Sequence, residues 1–343
     1  MRAPVLKDVA RLAGVSVQTV SRVVNDNPSV RPETRARVRA AMRALNYQPN
    51  LAARTLVTRR SRTLGVITPV SGTLLYAVED AARRAGYHIG VTGCAGPDDG
   101  FVRAALARLR DQAVAGTILI APVAGVRQAL SEPQPVPFVV AGDLRDLPSV
   151  AVDNALGARQ VTRHLLGLGH RTVHHVSGPA GDPEATERRS GWQQALLRAG
   201  RPVPAPLAGD GTARSGYLAG RGLAADRSVT AVFCGTDHLA LGVLRALAEA
   251  GRHVPGDVSV AGFGDLPESP YLCPPLTTVH QDLDAVGRDA VAALLHRIDT
   301  GGDAGIRRHA PRLVVRASTA PPAGVNAEMA LSGVARSRRG TVR

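Results

Sequence analysis

The sequence predicts an α/β protein in two parts, a small helical N-terminal domain and a larger core of two Rossmann-like lobes with parallel sheets. Apolar residues recur at helical spacing in residues 4–45, and from about residue 63 short β-rich runs alternate with helical stretches. Many of these runs end in Gly, Pro, Asp or Asn, the residues that line crevices at the carboxyl ends of parallel strands. A chain of 343 residues is long enough to bury a core in each part.

Three helices are expected in residues 4–45. The first has apolar residues at helical spacing and stops at Gly14. Ser16 can cap a second helix, Val17–Val24, because its hydroxyl can accept an unpaired backbone N–H. Pro32 favours the first turn of a third helix, where the missing N–H costs nothing. The buried stripe of that third helix is expected to consist of Val38, Met42 and Leu45.

Eight β-rich runs follow, and helical stretches separate most of them. Strands separated by helices imply right-handed βαβ units and parallel sheets. The runs are TLGVITP (63–69), HIGVTG (88–93), GTILIAP (116–122), PFVVAGD (137–143), SVAVDN (149–154), TVHHVSG (172–178), AVFCGTD (231–237) and VSVAGFGD (258–265). Their number and spacing fit two Rossmann-like lobes better than one barrel.

Basic charge is concentrated at the N-terminus. The formal net charge is +14, and residues 1–60 hold twelve Lys and Arg against three acids. This distribution indicates a polyanionic partner, although a merely solvated basic surface is the alternative. Because Lys7 is the only lysine, phosphate contacts would fall to arginine, whose planar group offers a fork of donors.

The sequence carries no sign of a disulfide framework, a metal site or a membrane segment. Cys94, Cys234 and Cys273 are odd in number and far apart, so we expect small core residues in a reducing compartment. Charged residues interrupt any apolar region near the N-terminus, which argues against a signal peptide. No apolar run reaches the roughly 18 residues that span a membrane. A cytoplasmic protein without a membrane partner is expected.

Residues 6–25, LKDVARLAGVSVQTVSRVVN, have the anatomy of a helix-turn-helix. The second helix would lie in the major groove of DNA with its N-terminal residues on base edges. Gln18 suits an adenine edge, Val17 a thymine methyl and Arg22 a guanine. Side chains better suited to phosphate oxygens are Ser16, Thr19, Ser21 and Asn25. Taken alone the pattern is weak, since pairs of small helices are common.

The motifs nevertheless resemble, in combination and in order, those of the LacI/GalR family of bacterial repressors. The N-terminal domain is matched by DVARLAGVSVQTVSRVVN, VRPETRARVRAAMRALNYQPN and AARTL. The effector-binding core is matched by VDNALGARQVTRHLLGLGHR, GPAGDPEATERRSGW, TDHLALGVLRAL and PPLTTVHQD. The resemblance implies a homodimer on a near-palindromic double-stranded DNA operator, with a core like periplasmic sugar-binding proteins. It also implies a small-molecule effector that adjusts DNA affinity, and we count Leu6 and Thr34 among the DNA-contacting residues.

The resemblance also assigns a role to the short segment after NYQPN. In that family it is a hinge helix that forms when two hinges meet in the minor groove, and a leucine matching Leu56 wedges into the central base step. Asn50 is placed as an N-cap, Ala53 is small enough for close approach, and Arg54 would contact phosphate or the minor groove. The alternative is an ordinary linker whose Leu56 docks on the core.

Four segments result from this interpretation. They are the helix-turn-helix domain 1–45, the hinge 46–60, the two-lobed effector-binding and dimerisation core 61–320, and a disordered basic tail 321–343. No leucine heptad follows residue 320, so a C-terminal coiled-coil tetramer is not expected.

The effector pocket implied by the resemblance contains both charged and polar side chains. Arg188 matches an arginine that bonds sugar hydroxyls or a corepressor carboxylate, and Asp143 and Asp237 match acids at strand ends. Thr236 and Asp265 occupy adjoining pocket positions. Each of the charged groups could instead cap a helix or form a surface pair.

Several positions depart from the family pattern. Gly264 stands where the first of two acids is usual, Thr236 where asparagine is frequent, and Gly211 where an aromatic is common. The stretch 68–87, which normally supplies one pocket wall, is several residues short, and aromatic residues make up only 3% of the chain. These departures disfavour a typical hexose effector, and leave an altered ligand or a lost response as alternatives.

Two other functional classes compete with this interpretation. A secreted solute-binding protein would need a signal peptide and would not carry a basic helix-turn-helix. An enzyme would need a reactive constellation, yet the chain has no GxxxxGK[ST], GFGDLP lacks the third glycine of a dinucleotide fingerprint, and Ser177 is not in a GxSxG elbow. We therefore expect a sequence-specific DNA-binding regulator with no enzymatic activity and no cofactor.

Overall fold

The computed structural model describes residues 4–24, 27–47, 61–68, 72–93, 99–120, 126–144 and 146–323. Internal contacts divide the chain into two units, Met1–Ser61 and Arg62–Arg343. This division falls one residue from the boundary predicted between the hinge and the core.

The first unit contains the three predicted helices, α1 (Leu6–Ala13), α2 (Val17–Val24) and α3 (Pro32–Ala44). Gly14 ends α1 in the left-handed conformation, with φ of 63°, which glycine adopts without steric cost. The Ser16 hydroxyl accepts the Thr19 N–H at 3.1 Å, so the predicted cap of α2 is confirmed. The helices close over a small core whose most buried members are Val9, Val20, Val23 and Val38.

The first lobe of the second unit is built on six parallel strands in the order β10-β5-β4-β3-β1-β2. The strands are β1 (Thr63–Thr68), β2 (His88–Gly93), β3 (Gly116–Ile120), β4 (Phe138–Ala141), β5 (Ser149–Val152) and β10 (Ile306–His309). The helices are α4 (Thr73–Arg84), α5 (Asp99–Asp111), α6 (Val126–Ala129) and α11 (Leu283–Thr300). Strands β1, β3, β4 and β5 are apolar and nearly continuously buried, as expected when helices cover both faces.

The second lobe has a smaller parallel sheet in the order β6-β7-β8, together with an antiparallel pair, β9 and β11. Its strands are β6 (His174–Val176), β7 (Ala231–Cys234), β8 (Ser259–Ala261), β9 (Thr278–His280) and β11 (Arg312–Val314). Its helices are α7 (Asn154–Gly167), α8 (Pro183–Arg198), α9 (Ala213–Ala225) and α10 (Asp237–Glu249), besides a short 3-10 turn at Ser269–Tyr271. The chain crosses between the lobes after β5, after β9 and after β10, which is why α11 packs on the first lobe.

All eight predicted strands are confirmed, and the lobes are α/β with parallel sheets as expected. Strands β9, β10 and β11 were not predicted. Strand β10, IRRH, lies at a sheet edge with its first two residues exposed, so it lacks the apolar run that marks a buried strand. Strands β9 and β11 are only three residues long, too short for a periodic signal.

Helices α9 and α10 pack backbone against backbone through glycine. A Cβ on Gly242 would lie 2.0 Å from the Ala213 carbonyl oxygen, and one on Gly216 would lie 2.2 Å from the Leu239 carbonyl oxygen. Neither oxygen belongs to a side chain that could rotate away. The contact therefore depends on the absence of a side chain at both positions.

We expect Gly242→Ala to destabilise the second unit by about 1–3 kcal/mol or more, because the two helices must separate to admit the methyl group. Gly222→Ala is the matched control, since it lies in α9 and its added methyl group would meet nothing within 4 Å. Helix propensity alone should make that variant up to about 1 kcal/mol more stable than the parent. Chemical unfolding followed by the fluorescence of Trp192, the single tryptophan, measures both; equal effects would contradict the packing account.

A buried histidine forms part of the aromatic core of the second lobe. The ring of His175 lies 4.8 Å from that of Phe233 and 5.1 Å from that of Trp192, centroid to centroid. Its Nδ1 donates to the Phe233 carbonyl oxygen at 2.9 Å. The pKa of His175 is lowered to about 4, mainly because of burial; the hydrogen bond to Phe233 raises it, and the nearby Arg188 and Arg189 contribute to the lowering.

The lowered pKa of His175 predicts the direction in which stability changes with pH. Because the unfolded chain takes up the proton near pH 6.5 and the folded chain only near pH 4, the stabilisation is complete above pH 6.5 and is lost as the pH falls toward 4. We expect the unfolding free energy of the parent to fall, relative to His175→Leu, by about 1.4 kcal/mol per pH unit in that window. Denaturation midpoints at pH 7.5 and pH 5 measure this difference, with exposed His238→Leu as the control; parallel profiles for parent and His175→Leu would refute it.

Candidate DNA-binding and effector sites

Helix α2 presents a polar and apolar reading face opposite its buried side. Val20 and Val23 are buried in the small core, whereas Gln18 and Arg22 are exposed and lie one turn apart. Val17, at the start of the helix, leaves 44% of its surface exposed although it is apolar. The helix therefore exposes a methyl-bearing side chain, an amide and a guanidinium, which are chemical groups that can contact base edges in a major groove.

The remaining candidate DNA contacts in this unit differ in exposure. The hydroxyls of Ser16 and Thr19 lie 2.9 Å apart and bond each other at the start of α2. Ser21 and Thr34 are half-buried, and Leu6 is partly buried against the small core. Most of the predicted hinge and basic tail lie outside the described residues. So do five candidate DNA contacts: Asn25, Asn50, Ala53, Arg54 and Leu56.

A cavity of about 230 Å³ lies where the two lobes of the second unit meet. The carboxyl ends of four neighbouring parallel strands form its floor, through Thr68, Ile120, Ala141 and Val152. Glu184, in the first turn of α8, contributes from the second lobe. Ligands of parallel α/β sheets bind in such crevices, because loops and helix starts converge there.

Arg188 is buried beside this cavity, with 6% of its side chain exposed. Its Nη1 donates to Asn154 Oδ1 at 2.8 Å, and its terminal nitrogens lie 3.6 Å from carboxylate oxygens of Asp182 and Glu184. The guanidinium also lies over the ring of Phe263, 5.2 Å from its centroid. The predicted effector-contacting arginine is thus held by protein partners on several sides.

Asp143 follows β4 at the same edge of the first sheet, but it is already paired. Both of its oxygens accept from the guanidinium of Arg308 on β10, one of them at 2.9 Å, and the side chain is 2% exposed. The bidentate bond to Asp143 raises the pKa of Arg308 above its ordinary value. This pair links the carboxyl ends of two strands of the sheet.

Asp237 is saturated by the protein itself and does not line the cavity. Thr278 Oγ1 and Ser269 Oγ donate to its carboxylate at 2.5 and 2.6 Å, and the Leu266 N–H donates at 2.9 Å. The Thr236 hydroxyl accepts the Leu239 N–H, so it caps α10. In this structure the Asp237 carboxylate therefore bonds protein groups and does not face the cavity. It connects α10 to the loop and strand that follow β8.

Asp265 is likewise committed within the second lobe. Arg316 Nη2 donates to it at 2.6 Å and His280 Nδ1 lies 3.0 Å away, while its own backbone has a φ of 56°. Neither Asp265 nor Thr236 lines the described cavity. None of the five predicted effector residues lines the cavity. Arg188 lies 3.6 Å from the lining residue Glu184, Asp143 follows the lining residue Gly142, and the three others make their contacts within the second lobe.

Two of the departures from the family pattern have a backbone reason. Gly264 has a φ of 130° and Gly211 a φ of 87°, and both values are unfavourable for residues with a Cβ. The Gly211 carbonyl oxygen also accepts from the Thr236 hydroxyl at 3.4 Å. An acid at position 264 or an aromatic at position 211 would require a different local turn.

Sequence reasoning did not select Glu184, although it lines the cavity. Its position four residues before Arg188, in DPEATERRSGW, was the available signal, because residues four apart share one helix face.

No helix among the described residues is long and apolar enough to cross a membrane.

Two family models match the chain. Residues 5–50 match the bacterial regulatory proteins of the lacI family, and residues 162–319 match a periplasmic binding protein-like domain. The HTH-type transcriptional regulator CelR of Thermobifida fusca is 37% identical in an alignment of length 320 that covers 87% of this chain and 92% of CelR.

Solved structures agree over nearly the whole chain. The lac repressor dimer bound to operator and the anti-inducer ONPF matches with a TM-score of 0.86 and 32% identity, covering 93% of this chain and 100% of that one. A complex of transcriptional regulator CelR with cellobiose matches with a TM-score of 0.68 and 31% identity, covering 92% and 99%. These relatives are transcriptional regulators rather than enzymes, and the chain belongs to the LacI family of bacterial regulatory proteins.

Proposed function

We propose that this regulator represses transcription by binding a near-palindromic operator as a homodimer, with a small molecule in the inter-lobe cavity adjusting its DNA affinity. The observation that carries the DNA-binding part is the exposed face of α2, with Val17, Gln18 and Arg22 presented from a helix whose opposite side is buried. A twofold-symmetric site follows, because a dimer places two such helices in two half-sites. Repression of bacterial genes also implies a cytoplasmic location.

The effector part rests on the cavity at the strand ends. It contains Thr68, Thr73, Glu184 and Gln281 as polar lining, together with apolar side chains, so it can both orient and enclose a ligand. Its volume of about 230 Å³ is below the roughly 300–1,000 Å³ of pockets for drug-sized molecules, which favours a ligand of monosaccharide size. The CelR complex contains cellobiose, a larger sugar. A formed cavity favours a retained ligand over a lost response.

The coupling would be a population shift. A ligand that prefers one arrangement of the lobes biases the hinge between its helical and unformed states, and operator binding biases the lobes in return by the same free energy. The short hinge segment suits this role, since an isolated helix of about two turns is marginal in water.

Arg22→Ala should weaken binding to an operator selected from random DNA by about 1–3 kcal/mol and relax preference at one base pair, because a bidentate guanine contact is lost. Gln18→Ala should do the same at a second position. Fluorescence anisotropy on operator and single-base variants measures both, with Arg198→Ala, an exposed residue of α8, as the control. A loss that is uniform across all base variants would contradict base reading by α2.

Leu56→Ala tests the hinge proposal. Removing the wedge should lower operator affinity by more than about tenfold, because a duplex that is no longer bent wraps less of the protein surface. Binding to scrambled DNA depends on phosphate neutralisation and should stay within about twofold, with an unchanged salt dependence. Equal losses on operator and scrambled DNA would contradict the wedge and favour a linker that docks on the core.

A further inference from the structure

Within the described part of the chain, the lining of the inter-lobe cavity carries one kind of charge, which is negative. Among the described residues that line it, Glu184 is the one with an ionisable side chain. The other polar lining comes from Thr68, Thr73 and Gln281, and the rest is apolar or glycine. In a chain with a net charge of +14, this pocket therefore offers a carboxylate and no lining cation within the described part of the chain.

Arg188 lies next to Glu184 but does not neutralise it fully. Its Nη1 is 3.6 Å from Glu184 Oε2 and donates instead to Asn154 Oδ1 at 2.8 Å. Its Nη2 is 3.6 Å from Asp182 Oδ2. One guanidinium thus faces two carboxylates, each at 3.6 Å, so among the described residues these two acids are not matched one for one by cations.

The neighbouring cation, Arg308, is also paired within the protein. Arg308 donates both terminal nitrogens to Asp143, so that pair is neutral as a unit. The pKa of the Glu184 carboxyl is raised to about 7, mainly because of burial; Arg188 lowers it, and Asp182 and Asp143 contribute to the rise. A carboxylate that is costly to ionise in the free protein is stabilised when a ligand brings a positive charge beside it.

We propose that the effector is a small amine-bearing polyol, of the amino-monosaccharide class, whose ammonium group pairs with Glu184. Its hydroxyls would bond the side chains of Thr73 and Gln281, and its carbon face would pack on Leu74 and Val286. This inference rests on the proposed function, in which the cavity is the effector site. An anionic corepressor is disfavoured, because it would meet Glu184 while Arg188 is held by Asn154 and two acids.

The test compares matched pairs of probes that differ only by an amine. D-glucosamine, D-galactosamine and D-mannosamine are titrated calorimetrically against the full-length protein, each beside its neutral parent hexose. We expect at least one amino sugar to bind about tenfold or more tighter than its parent, since a hydrogen bond between charged partners is worth more than a neutral one. The same sugar should change operator affinity in anisotropy.

Glu184→Gln should abolish this preference, so that the amine and its parent bind within about twofold of each other. Glu132→Gln is the matched control, because Glu132 pairs with Arg103 on the exposed surface of the first lobe. Thermal melts of each variant and operator binding without any sugar establish that the fold and the DNA-binding function are intact.

The outcomes separate the two levels of the proposal. A neutral hexose that binds as tightly as its amine, or a preference that survives in Glu184→Gln, overturns the inference while the cavity stands as the effector site. Failure of all six probes to bind or to alter operator affinity overturns it too. Absence of operator binding by the wild type both without sugar and with each of the six probes would instead overturn the proposed function.

Discussion

The organisation of the core centres on one buried charge, the guanidinium of Arg188. A buried cation is tolerated only when protein groups replace its hydration, and here Asn154, Asp182 and Glu184 contribute to that replacement. Asn154 begins the first helix after the chain enters the second lobe, and Asp182 caps α8 through the Glu184 N–H. One side chain therefore ties the crossing point, a helix start and the cavity wall together.

Much of the fold could be predicted from the sequence, because buried segments leave a recognisable apolar pattern. Strands β1 and β3, for example, read as nearly continuous apolar runs because helices cover both faces of their sheet. Strand β10 escaped prediction because its edge position allows IRRH, whose pairing with β5 depends on residues more than 150 positions away. Non-local pairing of this kind leaves no local pattern.

The candidate site could be predicted from the sequence only in part. The position of Asp237 at a strand end was correctly anticipated, but nothing local announces that Ser269 and Thr278 will occupy its oxygens. The same applies to Asp143 and Arg308, which are brought together by the sheet order. Sequence pattern identifies which side chains stand at a crevice, whereas the tertiary structure decides which of them are still available to a ligand.

The cap on α2 has a kinetic consequence. Because the Ser16 hydroxyl holds the Thr19 N–H and Gly14 closes the preceding helix, the reading helix is formed before DNA arrives. Little ordering entropy then opposes its insertion into the groove, which is the condition for rapid association. Correct and incorrect sequences would be encountered at similar rates and told apart by how long each is held. Discrimination by this domain would accordingly reside in dissociation rates.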